Sequence, residues 1–148
     1  MNVRTAFTAL TVVGLAVVAP VTANASTTSE HLHAKLSGSQ VVPGPGDSAA
    51  KGTFKATIKG DQFCYKVHVK KTDVTGVTIG QGEAGATGDV VVVLDDSRGC
   101  TTIVADEDDT DATLSEYELA ALLANPGQYY VQVTSDEFPN GAARGQLR

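Results

Sequence analysis

The sequence predicts an all-β fold: a Greek-key-like antiparallel β-sandwich or barrel with one short helix, over about residues 114–124, and one disulfide. Three observations carry this expectation. Apolar and polar residues alternate with period two through several short segments, the pattern of strands with one buried face. Glycine, proline, asparagine and aspartate cluster between those segments, as turns require. Two cysteines, Cys64 and Cys100, both follow an apolar leader. An even cysteine count in an exported chain reads as a disulfide.

The leader has three parts. Met1 to Arg4 carries one positive charge, Ala6 to Pro20 is largely apolar, and Ala23-Asn24-Ala25 offers small residues where a signal peptidase reads. That order is the mark of a secretory signal peptide. The apolar run falls short of the roughly 20 residues that span a bilayer. The expected organisation is therefore a signal peptide at 1–25, a flexible tail at 26–30 and a single domain at 31–148. The mature protein is expected to be secreted, free of the membrane, and a monomer by default.

The strands follow in order. His31 to Leu36 alternates, with Leu32, Ala34 and Leu36 on the apolar face. Residues 37–50 hold Pro43-Gly44-Pro45-Gly46-Asp47 and read as a loop, because proline lacks a donor and glycine loosens the backbone. Phe54, Ala56 and Ile58 then alternate with lysines and threonine. Phe63, Tyr65, Val67 and Val69 alternate with Cys64, Lys66, His68 and Lys70. Gly60-Asp61 between these runs is a two-residue hairpin signal, since glycine supplies the positive φ of a primed turn. Cys64 lies on the polar face, so its bridge is expected at the rim or under a loop. Val74 to Ile79 is a weaker strand, residues 80–88 a glycine-rich loop, and Val90 to Leu94 a continuous β-branched run expected at the sheet centre. Cys100 to Val104 pairs again, and residues 106–111 form an acidic loop.

One segment reads as helix. Thr113 followed three residues later by Glu116 fits a capping box, Leu119, Leu122 and Leu123 recur at helical spacing, and Asn125-Pro126-Gly127 ends the run. Tyr129 to Thr134 alternates again, placing one tyrosine ring on each sheet face. Phe138-Pro139-Asn140-Gly141 is a turn, and Ala142 to Leu147 supplies a last short strand.

Taken in order, Leu36-Ser37-Gly38-Ser39-Gln40, Val42-Pro43, Gly52-Thr53 and the Gly60-Asp61 hairpin resemble the opening of the CHRD (chordin-type) domain. Tyr129-Tyr130-Val131-Gln132-Val133, Phe138-Pro139-Asn140-Gly141 and Arg144-Gly145-Gln146-Leu147 resemble its closing signature. The resemblance covers nearly the whole domain. It implies an extracellular β-sandwich module without established enzymatic activity. The family commonly has His-x-His where Val77-Thr78-Ile79-Gly80 stands and Asn-x-His where Val131-Gln132-Val133 stands. Neither place holds a histidine here, so no role of those residues transfers.

The candidate chemistry is sparse. His31 and His33 share a strand face, and with His68 they are the transition-metal ligands to consider, zinc or copper being suited to imidazole. Asp106, Asp108, Asp109 and Asp111 offer oxygen ligands of the kind calcium takes, but the EF-hand order is absent, and negative charge before a helix is favourable without any ion. Gly80-Gln81-Gly82-Glu83-Ala84-Gly85 imitates a phosphate-binding loop but precedes a strand instead of a helix. No Gly-x-Ser-x-Gly elbow is present. Tyr130 and Arg144 are candidate binding residues, the first as an outward ring, the second as a charge that could pair within the fold. A net charge of −6 argues against nucleic acid, whose phosphates need clustered Lys and Arg. These readings converge on a secreted, non-catalytic module without a cofactor that binds an extracellular or cell-envelope protein through its loops and exposed sheet face. The alternative is an extracellular metal-binding protein.

Overall fold

A computed structural model describes residues 29–148. The leader assigned to residues 1–25 lies outside them. Nine strands follow one another: β1 (Glu30–Ser37), β2 (Lys51–Lys59), β3 (Gln62–Lys70), β4 (Gly76–Gln81), β5 (Val90–Leu94), β6 (Arg98–Val104), β7 (Leu114–Ser115), β8 (Tyr129–Thr134) and β9 (Ala143–Gln146). One helix, α1 (Glu116–Ala124), separates β7 from β8. The ordered strand β1 begins at Glu30, inside the stretch expected to be a flexible tail.

The strands form one sheet in the order β5-β4-β8-β9-β1-β2-β3-β6-β7. Every pairing is antiparallel except β6 with β7. The two ends of this order approach each other, because the Val93 backbone N–H of β5 donates to the Asp111 carbonyl, 2.7 Å away, just before β7. The sheet is thus a nearly closed barrel. Closure matters because an open sheet would leave two rows of unpaired backbone groups. The β1-β2-β3 meander followed by a connection to β4 at the far end of the strand order gives the Greek-key character.

Alternation builds the core. Leu32, Ala34 and Leu36 of β1, Phe54, Ala56 and Ile58 of β2, and Phe63, Tyr65, Val67 and Val69 of β3 all point inward and are buried. Val131 and Val133 of β8 and Leu122 of α1 join the same cluster. Each buried Val, Leu, Ile or Phe among them contributes about 1.5–3 kcal/mol on leaving water. The β2–β3 hairpin turns on Gly60-Asp61 as expected. Gly60 has φ +61° while Asp61 keeps a negative φ, the arrangement of a turn that needs glycine at its first central position only.

Three expectations are corrected. The run Val90 to Leu94 is not central: β5 ends the strand order, paired with β4 on one side, and Val90 and Val93 are exposed. Val92 and Leu94 are the buried residues of the run, with Val91 half-buried against the core, so a continuous apolar run serves a strand at the seam. The capping box is not Thr113–Glu116. Leu114 and Ser115 are first taken up by pairing with β6, which delays the helix, and Ser115 and Glu118 form the reciprocal box. The disulfide lies neither at the rim nor under a loop. Cys64 and Cys100 stand directly opposite each other on β3 and β6, on the outer sheet face.

Candidate functional site

The closing segment positions a buried cation. Ala143 and Gly145 of β9, and Leu147 just after it, face the core, while Arg144 and Gln146 face outward, paired across from Gln132 and Tyr130 of β8. Outward does not mean exposed: Arg144 is 1% and Tyr130 6% accessible. The Arg144 guanidinium stacks on the Tyr130 ring, 3.5 Å from its centroid, and donates to the carbonyls of Glu83 and Ala86. Tyr130 Oη donates to the Gly88 carbonyl, and Gln146 donates to Gly82 and Gly127. The glycine-rich loop is thereby fastened over this part of the sheet. Gly80 is required beneath it, because a Cβ there would lie 2.5 Å from the Tyr130 ring. Burial pulls the Arg144 pKa below its usual value, with the neighbouring Tyr130 opposing that shift.

The acidic loop serves the helix start. Asp106 accepts from the Tyr117 backbone N–H, satisfying a donor of the first turn that has no partner within the helix. Asp109 accepts from the Thr110 N–H and the Thr113 hydroxyl. Asp106, Asp109 and Glu118 line a cavity of about 450 Å³ with Tyr117 and Tyr129. Burial raises the Glu118 pKa above the usual carboxylate range; the Ser115 N–H opposes this and the nearby Asp109 charge adds to it. Asp108 and Asp111 are exposed.

The third feature is the outer face of β1, β2, β3 and β6. Its register sets residues in rows across the strands. One row is His33–Lys55–Lys66–Arg98, another Lys35–Thr53–His68, and a third brings Lys51 opposite Lys70. Lys59 adds one more cation beside Gln62. Seven of the chain's 11 Lys and Arg and all three histidines lie on this face. None of the 17 Asp and Glu shares its outward positions. Thr53, Lys55, Lys66 and His68 line a shallow cavity of about 290 Å³ in it.

Comparison with known proteins gives one family. The family model for the CHRD domain matches residues 32–147. The chain belongs to the CHRD family. No curated protein and no solved structure matches it. The CHRD closing signature Arg144-Gly145-Gln146-Leu147 has a physical reading in this chain: its first and third residues hold the glycine-rich loop and its last fills the barrel.

The residues singled out by sequence are thus dispersed. Tyr130 is no surface ring, and Arg144 pairs with carbonyls and an aromatic face instead of an acid. His31 Nδ1 lies 3.1 Å from Thr57 Oγ1. His33 and His68 stand on strands separated by β2, with Lys55 beside His33 in the register. Among the described residues no group of three or more His, Cys, Asp or Glu is placed to hold a metal ion, and no helix is long and apolar enough to cross a membrane. The basic face was missed because net charge averages over the molecule. Its signal was nonetheless present, as lysine at every second outward step from Lys51 to Lys59 and again at Lys66 and Lys70.

Proposed function

We propose that this CHRD protein is an exported, non-catalytic binding module that holds an acidic extracellular or cell-envelope partner on the outer face of β1, β2, β3 and β6. The observation that supports the reading is charge segregation: a chain of net charge −6 gathers most of its cations on one sheet face. Two Lys–Lys pairs, Lys51 with Lys70 and Lys55 with Lys66, face each other directly across β2 and β3. Like charges directly opposite are destabilising, and a negatively charged partner relieves that repulsion. The rigid barrel presents the array without a folding cost on binding. Retention of the purified protein on a cell-envelope fraction tests this. Lys55→Glu with Lys66→Glu is expected to lower retention at least tenfold while the melting transition survives. Retention that is unchanged in this variant, or that depends instead on the loop at 37–50, would contradict it.

A further inference from the structure

We infer that the occupant of this face is a linear anionic glycan carrying sulfate or phosphate groups. The inference deepens the binding reading above and rests on it. Protein interfaces are depleted in lysine and rely on buried aromatic or apolar anchors. Apart from the Cys64–Cys100 disulfide, the basic face offers only polar side chains at its outward positions, lysine, histidine, threonine and a single arginine foremost among them, while among the described residues the exposed large apolar side chains, Val90, Val93 and Tyr117, lie on β5 and α1. A lipid surface would likewise gain no apolar insertion from it. Single-stranded nucleic acid is held by stacking on large aromatic side chains, and no Phe, Tyr or Trp ring points outward among these rows.

What the face does offer is a regular lattice. Its rows step from strand to strand by roughly 4.8 Å, and successive outward residues along a strand are about 6.7 Å apart. His33, Lys55, Lys66 and Arg98 therefore form a line of basic side chains across four adjacent strands. Thr53 and Thr57 stand between lysines of β2, and hydroxyls of this kind donate to oxyanions alongside the cations. A flexible charged chain laid across such a lattice replaces its own condensed counterions with lysines. Elsewhere the molecule is acidic, so the same chain is repelled from its other sides and binds in one place.

Heparin, a sulfated glycan, is the probe. Titrations at several salt concentrations, beside polyglutamate, neutral dextran and phosphatidylglycerol vesicles, read the chemistry. With about four charge contacts, log K is expected to fall against log salt with a slope of about −3, so affinity drops roughly 50-fold between 50 and 200 mM salt. Lys55→Gln with Lys66→Gln should remove about half of that slope. Lys71→Gln, beyond the end of β3, should leave it unchanged. Binding of polyglutamate or vesicles without heparin overturns the glycan assignment but leaves the binding reading standing. Failure of all three polyanions, with envelope retention insensitive to the two lysines, removes both.

Discussion

Arg144 shows how a residue's place in a fold changes its meaning. A cation 1% accessible, stacked on Tyr130 and donating to two loop carbonyls, is a fastener. Removing it strands the carbonyls of Glu83 and Ala86 and opens a hole beside the ring. Arg144→Ala should therefore cost about 3 kcal/mol in chemical denaturation and raise amide exchange through residues 82–88. Glu118 carries the reverse charge problem. Its pKa is raised in the fold by burial and by Asp109, against the pull of the Ser115 N–H. The folded state thus binds this proton more tightly than the unfolded chain does. The stability it gives is complete below the ordinary carboxylate value and is lost as pH climbs through the raised one. Glu118→Gln keeps an acceptor for the Ser115 N–H and cannot ionise. Thermal melts should place the variant about 2 °C above the parent at pH 7, with the gap closing toward pH 4. A gap that widens in acid would reverse the assigned sign.

At the level of elements, the legible parts were those fixed by neighbours in sequence. The β2–β3 hairpin was readable because alternation on both sides and Gly60-Asp61 between them agree. The alternation of β1 and β8 was readable for the same reason. What escaped was set by distant partners. The helix start moved to Ser115 because β6 claims Leu114 and Ser115 first. The Val90–Leu94 run became a seam strand because closure of the barrel, absent from any local pattern, decides which strand lies last. The disulfide was legible as a pairing but not as a position. It links β3 and β6 across 36 positions, where loop-closure entropy makes it worth about 3–4 kcal/mol. Replacing both Cys64 and Cys100 with alanine should lower stability by that amount, measured by denaturant unfolding, with m rising as the unfolded chain loses its cross-link. A change below ~1 kcal/mol would show that the unfolded chain is already restrained there.

Across the whole molecule, charge is arranged in a way that neither composition nor motif expresses. The acidic groups gather around the helix start, the seam and the loops, and the outer face of β1, β2, β3 and β6 is left basic. Net charge argued against nucleic acid, whereas the register, which converts alternation into rows, points to a polyanion of another kind. The candidate site was thus half legible: its residues were visible as the polar positions of two strands, but their alignment needed the pairing of β3 with β6. Lys66 tests this account most directly, since it stands between Lys55 and Arg98 with no acid in the row. Like-charged neighbours of this kind cost a few tenths to 1 kcal/mol each, and binding residues often carry a stability cost of this sort. Melting temperature and heparin affinity measured together on Lys66→Glu should move in opposite directions: the transition rises by about 2–4 °C while low-salt affinity falls at least tenfold. A variant that melts no higher than the parent and binds heparin as well would contradict the claim that this face is strained to receive a polyanion.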